Sequence, residues 1–367
     1  MLTLEMLPAG CGDCLLLEHV HEGRTQRILI DGGTPASYPA LRARLSRDAR
    51  PHFDLIVVTH VDADHIGGIL ELLRDPAVGT TYDDLWFNGQ HHMKSFLAEA
   101  TGAEGGSAGP EVPPEDRLGP GQGEALATII RGGRWNEAFR RGPIVVPDTG
   151  ALPRIELRNG LSLTVLSPTP TALRRMALVW AREVRSVEEE LSRPHMATQE
   201  QADRLGGTLD VGALSAEPQQ RDDAPANGSS IALLAECGPH ACLLAADAWP
   251  QVLAATLQRL LQERGLSRLP LSAVKLPHHG SKRNVTREWL DLVECSDFLI
   301  STDGTRFRHP DAQAIARIVS AKRGVRLHFN TASVPASQWK SESLQVRHGF
   351  TTTYPASEGG SRVLTWG

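Results

Sequence analysis

The chain has 367 residues, 41% of them hydrophobic, and a formal net charge of −5, with a pI near 6.3. That length and apolar content suffice for one large α/β domain or two smaller ones with a core. The mild acidity excludes a global basic field for nonspecific nucleic-acid binding, although a local basic rim stays open.

No apolar run reaches the roughly 18 residues of a membrane span, and Met1-Leu2-Thr3-Leu4-Glu5 lacks the order of a secretory leader, so neither is expected. Five cysteines, an odd number, argue against a disulfide framework and for a reducing, cytoplasmic compartment. Cys11 and Cys14 form one Cys-x-x-Cys pair. With no second pair they read as small residues flanking a tight turn at Gly12-Asp13, not as a zinc knuckle.

Residues 1–33 read as strands with turns at Gly10-Cys11-Gly12-Asp13 and Glu22-Gly23, and the run Arg27-Ile28-Leu29-Ile30 ends in Asp31-Gly32-Gly33. Asp31 either bonds backbone amides in a plain turn or orients a metal ligand. A helix is expected over 38–46, a strand over 54–58 and a helix over 66–74. Asp84 to Gly89 reads as a short strand and turn; His91 and His92 beyond it are candidate ligands or, better, a surface pair opening a helix.

Residues 101–123 are dense in Gly and Pro and read as a long loop. A helix at 124–140, a strand at 144–146, a hairpin at 154–166 turned by Asn159-Gly160 and a charged helix at 173–191 follow. Residues 192–226 are polar and read as loosely held, so that 101–226 forms one large insertion in a single domain spanning 1–367. Order resumes at Asn227-Gly228-Ser229-Ser230, with a hairpin (231–237, 241–245) ending in Asp247, a helix at 250–264, and a strand (273–276) ending in Pro277-His278-His279-Gly280-Ser281-Lys282. The strand 298–301 leads to Asp303-Gly304 and His309-Pro310, and the tail at 325–367 alternates like edge strands.

The densest chemistry lies in Thr59-His60-Val61-Asp62-Ala63-Asp64-His65-Ile66-Gly67-Gly68, between the apolar run Leu55-Ile56-Val57-Val58 and a helix start. Two imidazoles and two carboxylates so close repel and desolvate one another unless a cation organises them. Such donors suit Zn, Mn or Fe, and alternate positions of an extended turn can serve two neighbouring ions. The plain alternative is a solvated acidic turn. Strand after strand ends in such a polar cluster, where active sites of layered α/β proteins form.

His60-x-Asp62-x-Asp64-His65 followed by Gly67-Gly68 resembles the metallo-β-lactamase superfamily signature, and Asp247 and a later strand-end histidine fit its order. More narrowly, the chain resembles the C-terminal domain of ComEC-type DNA-uptake proteins and its soluble relatives. The stretches Gly10-x-Gly12-Asp13, Asn227-x-x-Ser230, Pro277-His278-His279-Gly280-Ser281 and His309-Pro310 carry that resemblance.

The resemblance implies an α/β fold of αββα sandwich type, two mixed β-sheets flanked by helices. It also implies hydrolysis by a metal-activated hydroxide at a site of one or two ions, Zn or Mn. His60 and Asp62 would hold one ion, Asp64 and His65 the other, and Asp247 would bridge them. One of His278 and His279 would complete the second site, with the other on the substrate. Asp62 stands where the superfamily has a histidine, which favours harder metals such as Mn. Asn227 stands where a further histidine is expected and serves as a weak ligand or an orienting group. Asp64, His309 and Lys282 are the candidate catalytic residues, His309 as an acid or phosphate contact or only as a loop brace. Lys282, with Ser281, suits an anionic substrate such as DNA or a nucleotide-like phosphodiester. The leading expectation is therefore a phosphodiesterase or nuclease. A lactone or thioester hydrolase and a non-catalytic metal-binding scaffold are the rivals. No pattern identifies a protein partner.

Overall fold

The computed structural model describes residues 1–47, 50–103, 119–187, 209–357 and 359–367. Most of the Gly/Pro-rich loop expected at 101–123, and the stretch 188–208 of the expected insertion, lie outside the described residues.

Strands β1 (Leu2–Met6), β2 (Leu15–His21) and β3 (Arg24–Ile30) form an antiparallel meander, and β4 (Leu55–Val57) and β5 (Leu85–Trp86) then add in parallel. Strand β14 (Arg362–Trp366) closes the other edge, giving a 6-stranded mixed sheet in the order β14-β1-β2-β3-β4-β5.

The second half repeats this plan. Strands β6 (Arg154–Glu156), β7 (Leu161–Ser167), β8 (Ala232–Cys237) and β9 (His240–Leu244) pair antiparallel. Strands β10 (Ala273–Lys275), β11 (Asp297–Ile300), β12 (Val325–Phe329) and β13 (Phe350–Thr353) then add in parallel to make an 8-stranded sheet. A parallel neighbour needs a crossover, and helices supply it: α1 (Tyr38–Leu45) before β4, α2 (Ala63–Arg74) after it, α7 (Pro250–Arg264) before β10 and α8 (Ala312–Ala321) before β12.

Residue alternation explains the layering. Leu15, Leu17, Ile28, Ile30, Leu55 and Val57 of the first sheet join one core with Leu163, Val165, Leu233, Leu244, Val274 and Phe298 of the second. The intervening Leu16, Leu29, Ile56 and Val58 face a second core. There α1, α2, α3 (Gln90–Ala103), α4 (Gly119–Ile130) and α5 (Pro170–Val187) contribute Leu41, Ile69, Met93, Leu126 and Met176. Leu253 and Leu257 of α7 and Ile315 and Ile318 of α8 pack with the second sheet. A period of two thus buries both faces of the first sheet, and the layers run helix, sheet, sheet, helix. This is the mixed α/β fold expected, consistent with a metallo-β-lactamase fold.

Several local expectations are corrected. The helix expected at 124–140 is α4, ending at Ile130, followed by turns. Residues 144–146 join no sheet; Ile144 donates instead to the Asn88 side chain. The tail holds α9 (Glu342–His348) between β12 and β13, and its two last strands edge different sheets. Residues 209–226 are not loosely held. Val211 of α6 (Val211–Ala216) joins the main core, and Asp222 is 3% exposed. His92 is no surface residue: it is buried, accepts the Gly89 N–H and donates to the Arg141 carbonyl, whereas His91 is exposed. Among the described residues no helix is long and apolar enough to cross a membrane, and all five cysteines are free thiols.

A candidate metal centre at the strand ends

The C-terminal ends of β3, β4, β9, β10 and β11 meet at one edge of the two sheets, where parallel strands leave main-chain groups unpaired and side chains converge. Close backbone approach fixes the geometry. A Cβ on Gly12 would lie 1.7 Å from the Asp64 carbonyl, and one on Gly68 would lie 1.9 Å from the Gly32 carbonyl. The turn before β2, the turn after β3 and the start of α2 therefore interlock only because these positions are glycine. Asp64, in the first turn of α2, also sits at the positive end of that helix.

The imidazoles share one pattern. His65 Nδ1 lies 2.8 Å from Asp31 Oδ2, and His279 Nδ1 lies 2.9 Å from the Ser301 carbonyl. His60 Nδ1 lies 3.0 Å from Thr59 Oγ1. That hydroxyl spends its proton on Asp31 and so accepts from the ring. His278 Nδ1 lies 3.1 Å from Asn284 Oδ1. In the neutral rings each Nδ1 then carries the proton, which leaves each Nε2 bare.

All four bare nitrogens address one oxygen. Asp247 Oδ2 lies 3.4 Å from His65 Nε2, 3.5 Å from His279, 3.7 Å from His278 and 3.9 Å from His60. Asp64 Oδ2 lies 3.5 Å from His279 Nε2, and Asp62 Oδ2 lies 3.4 Å from His60 Nε2. Asp247 Oδ1 and His60 Nε2 are buried with no hydrogen-bond partner. Ligand atoms of Asp13, His65, Asp247 and His279 lie within 4.8 Å of one another.

This donor set fits a metal ion: lone pairs of imidazole and carboxylate face a common point, their outer atoms tied by an orienting bond. Electrostatics point the same way. Burial alone would neutralise the rings, but the Asp247 carboxylate outweighs it and raises His65, His279 and His278, the last to about 10. Burial would likewise push Asp247 up, yet His279, His65 and His278 hold it well below the usual carboxylate range. The cluster attracts a cation. Backbone strain is stored here too, since Asp31, Ala246, His278 and His279 all have positive φ between 47° and 58°.

The structure brings His60, Asp62, Asp64, His65, Asp247, His278 and His279 together and places Asp31 behind His65. Both histidines of the pair address Asp247, so neither is set apart from the centre. Asn227 directs its carboxamide nitrogen to Asp222, 2.8 Å away, and lies 3.3 Å from His278 Nδ1. Ser281 is engaged within its own turn, accepting the Arg283 N–H. Lys282 is exposed beside the His278–His279 turn, its backbone N–H held by Asp311. His309 packs its ring 5.3 Å from that of His278, with a buried Nδ1 that has no hydrogen-bond partner, 3.5 Å from Asp311.

Three residues were missed. Asp13 lies 3.3 Å from His279 Nδ1 and forms an ion pair with the wholly buried Lys275. Asp222 and Asn284 stand behind His278. The Gly10-x-Gly12-Asp13 stretch and a lone lysine inside the apolar strand β10 were the available signals for the first; nothing marked the other two.

Residues 10–135 match the profile of the metallo-beta-lactamase superfamily. No curated protein matches the chain. The crystal structure of CmlA, a diiron beta-hydroxylase from Streptomyces venezuelae, is similar at 12% identity and a TM-score of 0.38, covering 100% of this chain and 54% of that one. A mutant of the same hydroxylase gives 12% identity, a TM-score of 0.35 and the same coverage. The chain thus spans about half the length of the structures it matches.

Proposed function

We propose that the protein is a metal-dependent phosphodiesterase or nuclease with a two-ion centre. The observation that carries this is the convergence of four bare imidazole nitrogens on the Asp247 carboxylate, whose other oxygen has no partner. His65, His279 and Asp64 would hold one ion; His60, Asp62 and His278 would hold the other; Asp247 would bridge. Four carboxylates in or beside the set, counting Asp13, favour Mn or a mixed pair over two Zn. The chemistry supplied when metal is bound is acidification of a water from a pKa of about 15.7 toward about 7 and charge neutralisation at a phosphoryl oxygen.

The chain's own residues do the rest. Asp31, Thr59, Ser301 and Asn284 hold each ring with Nδ1 protonated and Nε2 inward. Lys282 gives the phosphate a cationic neighbour at the rim, and His309, beside His278, offers the leaving oxygen a hydrogen bond. The finer resemblance to ComEC-type domains, through Asn227-x-x-Ser230 and Pro277-His278-His279-Gly280-Ser281, supports DNA or a nucleotide-like ester as substrate. Cysteine usage supports a cytoplasmic setting.

The test is metal-stripped protein, reloaded with Mn or Zn and offered single-stranded DNA, bis-p-nitrophenyl phosphate and a lactone. Phosphodiester cleavage that needs metal and vanishes in Asp64→Ala is the expected result. Turnover of the lactone alone overturns the substrate class, and inertness of the metal-loaded protein toward all three leaves the metal-binding scaffold reading.

A further inference from the structure

His278 differs from the other three imidazoles. Its side chain is 21% exposed, against 0–1% for the others. It sits on a one-turn segment with positive φ, and the His279 and His309 rings meet it edge-on at 5.8 Å and 5.3 Å, contacts that do not select a tautomer. A buried polar network does. Asp222 Oδ2 accepts from Asn284 Nδ2 and from Asn227 Nδ2, each at 2.8 Å, and lies 3.5 Å from His278 Nδ1. Asp222 Oδ1 accepts the Ala224 N–H at 3.0 Å, and its own N–H bonds the Arg283 carbonyl at 3.3 Å.

We propose that Asp222 is a positioning residue that selects the tautomer of His278 through the amide orientation of Asn284, and so controls the second ion; this rests on the two-ion reading above. The argument is one of donors and acceptors. A carboxylate only accepts, so Asn284 must turn its NH₂ toward Asp222. The Asn284 carbonyl oxygen then faces His278 Nδ1 at 3.1 Å, which carries the proton to bond it; Asn227 Nδ2, farther from Nδ1 at 3.3 Å, makes its close bond to Asp222 at 2.8 Å. The lone pair of His278 is thereby placed on Nε2, 3.7 Å from Asp247 Oδ2. An amide at position 222 removes the closest and only charged of the three acceptors around that NH₂. The Asp247 and Ala248 carbonyls, 3.4 Å and 3.3 Å from Asn284 Nδ2, still favour the original orientation, but the charged acceptor at 2.8 Å is gone. A share of the molecules then has Asn284 reversed, its NH₂ toward Nδ1 and the ring proton on Nε2, where it faces Asp247 and blocks an ion. Asp31 holds His65 directly; Asp222 acts on His278 at one remove.

The experiment compares wild type, Asp222→Asn and the exchange Asp222→Asn/Asn284→Asp, each stripped and titrated with Co²⁺ and Mn²⁺. Ion stoichiometry, Co²⁺ absorption and melting of the metal-free protein are followed. The expected result is an affinity for one ion about 10–100-fold weaker in Asp222→Asn, with the other ion and the metal-free melting temperature retained. The exchange restores an acceptor toward His278 and a donor behind it, so it recovers part of that affinity. Both ions held as in wild type, both weakened alike, or a metal-free melting temperature that falls as far as the loaded one, overturns the inference. A wild type that takes a single ion, unaffected by Asp222→Asn, overturns it too but leaves the hydrolase reading intact. A wild type that takes no ion overturns the metal reading itself.

Discussion

His65 Nε2 and His279 Nε2 lie 3.2 Å apart although the residues are 214 positions apart in sequence. Both nitrogens are acceptors, since Asp31 and the Ser301 carbonyl hold the opposite ring protons. With both rings neutral, two lone pairs at that distance repel unless a proton or a metal ion lies between or beside them. Binding of an ion to the folded chain alone stabilises it by about 2.7 kcal/mol at a free-ion concentration 100 times the Kd. Thermal melts of stripped protein with and without added Mn or Zn should therefore separate, and His279→Ala should abolish most of the separation. Superposed wild-type curves would remove the metal from the account.

The convergence was partly legible. His60 to His65, Asp247 and the His278–His279 pair each follow an apolar run, so a period-two reading puts them at strand ends, and strand ends of one sheet edge meet. The orienting residues were not legible, because they act across long separations. Asp222 reaches Asn284 over 62 positions and Asp13 reaches Lys275 over 262. Composition misled at Asp222, where a Pro/Gln/Asp-rich stretch reads as solvated yet folds into a buried acceptor. The tail misled for a different reason: β13 and β14 are edge strands as their alternation suggests, but they belong to different sheets, and the segment between β12 and β13 gains a helix.

Gly68→Ala offers a contest of two effects with opposite sign. In an open helix interior, alanine is favoured over glycine by about 1 kcal/mol. Here Gly68 lies in α2 with the Gly32 carbonyl where a methyl would go, 1.9 Å from it, and backbone is what must move. Overpacking of this kind costs typically about 1–3 kcal/mol, so the net change should be destabilising. Chemical denaturation of the variant measures it. A more stable Gly68→Ala would show that the α2 contact with the Asp31-Gly32-Gly33 turn is looser than described, and with it the seat of His65.

His92 predicts a pH dependence away from the metal centre. Burial lowers its pKa from 6.5 to about 4, because the folded state accepts the Gly89 N–H at Nδ1 and has no room for a second ring proton. The unfolded chain takes up that proton near pH 6.5 and the folded chain does not until near pH 4. Stability from this group is therefore complete above about pH 6.5 and is lost as pH falls toward 4, by on the order of 2–3 kcal/mol at most. His92→Gln can still receive the Gly89 N–H in the manner of a capping box, without titrating. Its unfolding free energy should fall less steeply than that of wild type over this window. Parallel slopes would mean that His92 is protonated in the fold.

Lys275 carries the sharpest stability prediction. It is wholly buried in the central strand β10 and pairs with Asp13, whose Oδ1 lies 3.3 Å from His279 Nδ1. Burial alone would push the Asp13 carboxyl up, but Lys275 and then His279 outweigh it and hold it well below the usual carboxylate range. Lys275→Met keeps the volume and removes the charge, leaving a buried carboxylate near Asp64 and Asp247 without its main partner. Breaking such a pair from one side costs about 3–5 kcal/mol, whereas replacing both members together costs far less. Asp13→Asn added to Lys275→Met should therefore recover a large part of the loss in a double-mutant cycle by urea denaturation. Added metal should also recover part of it in the single variant, since a cation at the centre relieves the same excess of negative charge. Additive losses in the cycle would show that Lys275 and Asp13 are not coupled, and that the strand tolerates the lysine for some reason other than the carboxylate beneath His279.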